Sequence, residues 1–329
     1  MKSIKLFCLS LAAVGCIASG SAHASLTAFQ QYVGNVGYSS DGFGSLSQSG
    51  TISASVPIGS TVLAAYLYTS TAWNGSMSGI GGTLNGNAVS YTSLGLNSAA
   101  CCSLVAGRSD VTSIVKPIID GGAGGIYNFR ITETSSSQDG EALVVVYSNP
   151  ALGISTVGIL DGFASVLGDT TSISFASALH PLAPGFSAEL ALGIGFSCCT
   201  NQRSTVKVNG TTITDNAGNL DDGDELADGS LITVGGYDDP YSTLLPGYAD
   251  DHERYNLAPN IADGSTTITF DTVNGSQDDN IFLAVVRVTG EGNVCTGPNC
   301  NTIPEPGSMA LVGLALAGLG GLRRKAKRA

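Results

Sequence analysis

Short apolar stretches rich in β-branched residues recur along the chain, each bounded by Gly, Asn, Asp or Pro. They include STVLAAYLYTST (60–71), IYNFRITE (126–133), EALVVVYS (141–148), STVKVNGTTIT (204–214), TTITFDTV (266–273) and NIFLAVVRVTG (280–290). Runs of this length and composition predict strands of an all-β sandwich or barrel. No segment between the two termini carries a helical period. TLNGNAVSYT (83–92) and VKVNGTTIT (206–214) each hold an Asn-Gly pair, which readily adopts the positive φ of a type I′ turn, so both predict hairpins.

These hairpins open a longer likeness. Residues 108–148 and 254–288 each run from an Arg, past an Ile, through an Asp-Gly turn (Asp120-Gly121, Asp263-Gly264) to an alternating strand. Ser-Gln-Asp (137–139, 276–278) and a continuous apolar strand follow in both. Upstream, 51–68 faces 172–196. The expected architecture is two tandem, duplicated β-sandwich units of jelly-roll type, with chance likeness among low-complexity strands as the competing explanation. The boundaries are a signal peptide at 1–24, a first β unit at 25–150 and a second at 151–293. A linker at 294–302 holding Cys295 and Cys300 and a C-terminal segment at 303–329 follow. The second unit carries extra acidic, tyrosine-bearing sequence at 215–253, and long connections of that kind often bind ligands.

Lys2 and Lys5, an apolar core and Ala22-His23-Ala24 form a secretory signal, with cleavage expected after Ala24. At the other end, 308–322 is apolar and is followed by Arg323, Arg324 and Lys325. As a helix it would rise roughly 22 Å, short of a hydrocarbon core of about 30 Å. Between the ends, seven basic residues stand against 25 acidic ones, a balance of −18 within a whole-chain charge of −12. Basic flanks around an acidic middle place both ends inside and the middle outside. A polyanion would be repelled, which excludes nucleic acid as a partner. Six cysteines survive signal removal, namely Cys101, Cys102, Cys198, Cys199, Cys295 and Cys300, and an even count in an exported chain favours disulfides of unread pairing.

Candidate chemistry is sparse. Asp221, Asp222, Asp224 and Glu225 offer oxygens to calcium, but their spacing fails the EF-hand pattern, so solvated acidic turns are the competing explanation and no other cofactor is expected. Tyr237, Tyr241, Tyr248 and Tyr255 are candidate glycan contacts, with ordinary packing as the alternative. No nucleophile elbow, H-E-x-x-H or phosphate loop is present, and no catalytic residue is assigned.

Pro304-Glu305-Pro306, the short apolar run and the basic cluster together resemble the PEP-CTERM sorting signal, also called the ice-binding protein C-terminal domain. The residues ahead of it are similar to uncharacterised β-rich ectodomains that often precede that tail. The resemblance implies export in a Gram-negative bacterium and transient single-pass insertion in the inner membrane. It also implies cutting by an exosortase-type enzyme near Pro304-Glu305-Pro306, then delivery to the cell surface or matrix. The expected function is a non-catalytic structural or adhesive role associated with exopolysaccharide and biofilm. The alternatives are a secreted carbohydrate-active hydrolase and a calcium-dependent glycan-binding module.

Overall fold

The computed structural model describes residues 25–44, 47–71, 73–97, 103–197, 204–218, 231–242, 253–275 and 280–296. Within them the chain forms β1 (Thr27–Gly34), β2 (Val36–Phe43), β3 (Ser49–Val56), β4 (Thr61–Thr71), β5 (Gly81–Leu84), β6 (Asn87–Ser90), β7 (Thr92–Leu96) and β8 (Val105–Asp110). Helix α1 (Thr112–Asp120), β9 (Gly125–Glu133) and β10 (Gln138–Ser148) complete the first half. The second half holds β11 (Ser155–Asp161), β12 (Asp169–Phe175), β13 (Ala188–Ser197), β14 (Ser204–Val208), β15 (Thr211–Ala217) and β16 (Leu231–Val234). It ends with β17 (Arg254–Asn256), a 3-10 turn at Ala258–Asn260, β18 (Thr267–Asn274), β19 (Asn280–Thr289) and β20 (Gly292–Thr296). The all-β expectation holds.

The strands make four antiparallel sheets. Sheet I has the order β3-β9-β5-β6, sheet II β2-β10-β4-β8-β7, sheet III β1-β11-β19-β13-β16 with β17 also on β13, and sheet IV β15-β14-β18-β12-β20. Three apolar layers lie between consecutive sheets, so the order through the molecule is I, II, III, IV. The central strands show why. On β10, Leu143, Val145 and Tyr147 enter the layer shared with sheet I, while Ala142, Val144 and Val146 enter the layer shared with sheet III. On β19, Leu283 and Val285 face sheet II, and Ala284, Val286 and Val288 face sheet IV. A strand buried on both faces cannot alternate with polar residues, which is the origin of the continuous runs in these two segments.

One strand order recurs. The path β2-β10-β4-β8 in sheet II reappears as β11-β19-β13-β17 in sheet III, and β3-β9-β5-β6 in sheet I reappears as β12-β18-β14-β15 in sheet IV. The two expected hairpins occupy matching places. Asn85 and Gly86 (φ 49° and 76°) join β5 to β6, and Asn209 and Gly210 (φ 50° and 81°) join β14 to β15. Each Asn also clasps the neighbouring strand. Arg130 N donates to Asn85 Oδ1 at 2.7 Å, and Thr269 N donates to Asn209 Oδ1 at 2.9 Å.

Three expectations need correction. Helix α1 exists where no helical period was read: it is two turns long, with only Val115 and Ile119 buried, at an i,i+4 spacing, and Pro117 inside it. Residues 294–296, expected in the linker, belong instead to β20, which pairs with β12, and Val294 packs on the core between sheets III and IV. Strand β1, placed with the first unit, pairs instead with β11 in sheet III. No helix among the described residues is long and apolar enough to cross a membrane, and 308–322 lies outside them.

Sheets II and III are also joined by charge. Arg108 on β8 pairs with Asp161 at the end of β11, and the same Asp161 oxygen accepts from Tyr68 Oη at 3.2 Å. The Arg108 guanidinium lies 3.3 Å from the ring centroid of Phe29 on β1. Burial pushes the Asp161 carboxyl up, against the pull of Arg108.

Candidate functional site

Residues 235–242 leave β16 and cross the flank where sheets II and III meet. Gly235 N donates to Leu192 O on β13 at 2.8 Å, while Ser40 Oγ on β2 donates to Gly235 O at 2.6 Å. Tyr237 N then bonds Ser40 O at 2.9 Å, and Ser242 N bonds Arg254 O on β17 at 2.8 Å. The segment is thereby tied to both sheets. Glycine is required at 235 because a Cβ there would lie 2.3 Å from Glu253 O.

Arg254 organises the crossing. Its Nη1 donates to Tyr237 O at 3.0 Å and Asp239 O at 2.9 Å, and its Nη2 reaches Glu189 Oε2 at 3.4 Å. The guanidinium carbon sits 4.7 Å from the Tyr241 ring centroid, and Tyr241 Oη donates to Glu189 Oε2 at 2.7 Å. Burial and the bond to Glu189 push the Tyr241 hydroxyl up to about 12, so it remains a donor at any physiological pH. Tyr241 is nevertheless 39% exposed, next to exposed Asp238 and Pro240. The result is a braced aromatic ring beside carboxylates, with its rotamer fixed by two partners.

Asp41 lies under the same flank and has a structural task. Ser53 N on β3 donates to Asp41 Oδ2, and Ser55 N donates to Ser39 Oγ at 2.9 Å. Side chains of β2 thus occupy outward amides of β3, the edge strand of sheet I, which protects an edge that would otherwise invite pairing. Burial, with Asp238 and Asp239 nearby, pushes the Asp41 carboxyl up to about 7.

The four tyrosines named as glycan contacts separate. Tyr237 and Tyr241 share this flank, half-buried and partly exposed respectively. Tyr255 is only 3% exposed, packs in the layer between sheets III and IV, and donates to Glu253 Oε2 at 3.2 Å, so it is a core residue and not a contact. Alternation along β17 explains the difference: Arg254 and Tyr255 are consecutive and point to opposite faces of sheet III. Tyr248 lies outside the described residues, as do Asp221, Asp222, Asp224, Glu225, Ala22 and Ala24. Cys295 on β20 is disulfide-bonded, and Cys101, Cys102, Cys198, Cys199 and Cys300 are outside the described residues. No group of three or more metal-ligating His, Cys, Asp or Glu side chains occurs among the described residues. Glu189 and Arg254 were not singled out from sequence. An Arg heading both halves of the repeat was the available signal, but its partner 65 residues away was not.

No curated protein matches the chain. Among solved structures, a recombinant N-glycanase F (PNGase F) aligns with a TM-score of 0.24 and 12% identity, over 80% of this chain and 99% of that one. A BuGH86 protein in complex with neoagarooctaose aligns with a TM-score of 0.19 and 10% identity, over 82% of this chain and 35% of that one. Scores of this size do not define a shared fold. The C-terminus is decisive where the folded part is not. Residues 302–325, which include Pro304, Glu305, Pro306, Arg323, Arg324 and Lys325, match the PEP-CTERM protein-sorting motif, and the chain is therefore an exported protein that carries this signal for membrane-associated sorting.

Proposed function

We propose that the protein is a non-catalytic component of the cell surface or extracellular matrix, with a duplicated pair of sandwiches as its body and a polysaccharide contact at the Tyr241 flank. The observation that carries the reading is the Tyr241 ring, exposed yet held by Arg254 and Glu189. A ring immobilised in advance loses little entropy when a sugar stacks on it. The strong negative balance of the exported part disfavours acidic polymers, so the fitting partner is a neutral polysaccharide.

Retention of the protein on immobilised neutral exopolysaccharide from the producing strain tests this. Tyr241→Ala is expected to weaken binding roughly 3–10-fold, the equivalent of one aromatic contact of about 0.5–1.5 kcal/mol. Unchanged retention would remove the site, and release of new reducing ends would replace the non-catalytic reading with a hydrolase. A separate measurement addresses sorting. Intact mass of the protein from the medium is expected to end near Pro306, and a full chain to Ala329 would refute processing.

A further inference from the structure

The chain enters the fold beside a carboxylate. Leu26 is buried between sheets III and IV, where it packs with Leu160 and Leu190. Its N–H donates to Asp169 Oδ2 at 3.3 Å, and the same oxygen accepts from Ser165 N at 2.6 Å. Ser25 is held from another side: Gly162 (φ 124°) comes so close that a Cβ there would collide with the Ser25 carbonyl oxygen. Ser25 and Asp169, both half-buried, line one open recess of about 670 Å³ together with Thr170 and Thr296. Among the described residues no donor reaches Asp169 Oδ1 and no basic side chain acts on the carboxyl. The other charged side chains of β1, β11, β12, β18 and β20 are also acidic. They are Asp271, which accepts the Thr170 hydroxyl at 2.7 Å, and Asp161, which is paired with Arg108.

A half-buried carboxylate in a recess therefore lacks a cation, and the expected cut after Ala24 creates one beside it. Hydrolysis of the Ala24–Ser25 peptide bond by a signal peptidase leaves a carboxylate on Ala24 and turns the Ser25 nitrogen from an amide into an ammonium. We propose that Asp169 is the binding site for this new α-ammonium, so that removal of the signal fastens the start of the mature chain to β12. The Ser25 nitrogen is one residue from the Leu26 amide that already touches Asp169, and the open recess gives it room to turn toward Oδ1. An ammonium on a carboxylate forms charge-assisted hydrogen bonds, about twice as strong as those of the amide it replaces. Because Ser25 leads into β1 of sheet III and Asp169 opens β12 of sheet IV, the pair would tie these two sheets together around Leu26. The proposal rests on cleavage after Ala24 and is independent of the Tyr241 flank.

Mass spectrometry of the full exported protein tests the proposal. The N-terminal peptide is expected to begin at Ser25. Trace labelling with acetic anhydride across a pH series then reads how tightly the Ser25 amine holds its proton. In wild type it is expected to do so about tenfold more tightly than a free α-amine, which titrates near pH 8. Asp169→Asn is expected to remove that advantage, while its amide oxygen still accepts from the Ser165 and Leu26 N–H groups. One glycine inserted between Ala24 and Ser25 is expected to remove it with Asp169 untouched, because the ammonium then lies a residue, about 3.5 Å, further out. A chain that begins elsewhere than Ser25 would overturn the proposal. So would a wild-type amine that titrates as a free one, or one that keeps its raised affinity in either variant. An Asp169 that only braces the loop at Ser165 would lower Tm on substitution and leave the amine titration unmoved. Should Asp169→Asn fail to fold, the glycine insertion decides.

Discussion

Replacing Arg108 by alanine is expected to destabilise the protein by about 3–5 kcal/mol, measured as the unfolding free energy in urea. The loss has two sources. Asp161, with a side chain 7% exposed, keeps only the Tyr68 hydroxyl as a side-chain partner, and a buried carboxylate stripped of its cation is far costlier than the pair itself was beneficial. Removal of the guanidinium from the Phe29 ring adds a smaller penalty, on the order of 1 kcal/mol, and opens the edge where β1 covers sheet II. The double change Arg108→Met with Asp161→Leu is expected to recover most of the loss, because apolar side chains of similar volume need no counter-charge. A single-mutant loss below about 1 kcal/mol would mean that the pair behaves as a solvated surface contact and does not hold sheets II and III together.

Stability is expected to fall by several kcal/mol as pH rises from 5 to 8. Burial is the first cause that lifts Asp41 to about 7, Glu141 to about 8 and Glu133 to about 10, and it also raises Asp161 and Asp169. At Asp120 burial also raises, but Lys116 and the Val62 amide outweigh it and leave that carboxyl low. Each raised group keeps its proton in the folded protein at a pH where the unfolded chain has released it. Its stabilising contribution is therefore complete below the unfolded value near 4 and is lost as pH climbs through the folded value. For Asp41 that window runs from 3.8 to about 7. At about 1.4 kcal/mol per unit, its share between pH 5 and 7 is on the order of 2 kcal/mol. Asp41→Asn retains an oxygen for the Ser53 amide and removes the titration, so it is expected to flatten the profile by that amount. A wild-type profile level between pH 5 and 8 would contradict the burial of these groups.

How much of this was legible differs from element to element. The runs at 141–148 and 280–290 announced buried strands because both faces of β10 and β19 are covered, and the Asn-Gly pairs announced their turns because few other residues accept positive φ at that position. The recurring strand order follows the likeness between 108–148 and 254–288. Helix α1 escaped because two buried positions in nine residues barely define a period. β20 escaped because a short edge strand with one packed valine looks like linker until β12 is beside it.

The candidate sites were less legible still. Arg108 and Asp161 are 53 residues apart, Arg254 and Glu189 are 65 apart, and Tyr91 and Glu141 are 50 apart. Each pairing depends on which strands become neighbours and on the register between them. Tyr241 and Tyr255 have the same side chain and lie close together in sequence, yet one is partly exposed and the other is core. Composition cannot separate them, whereas the pleat of β17 and the layer beneath it do.

By itself the sequence determined the strand content, the two hairpins and the C-terminal sorting signal. All of these rest on local chemistry: side-chain branching, the φ freedom of Asn-Gly, apolar periodicity, and a contiguous Pro-Glu-Pro, apolar and basic order that acts as a linear signal. Only the tertiary structure decided that sheets II and III pack face to face, that β1 joins the sheet of the second half, and that Arg108 meets Asp161. Those outcomes depend on burial and on distance between strands remote in sequence. Both are properties of the assembled layers, and no local window contains them.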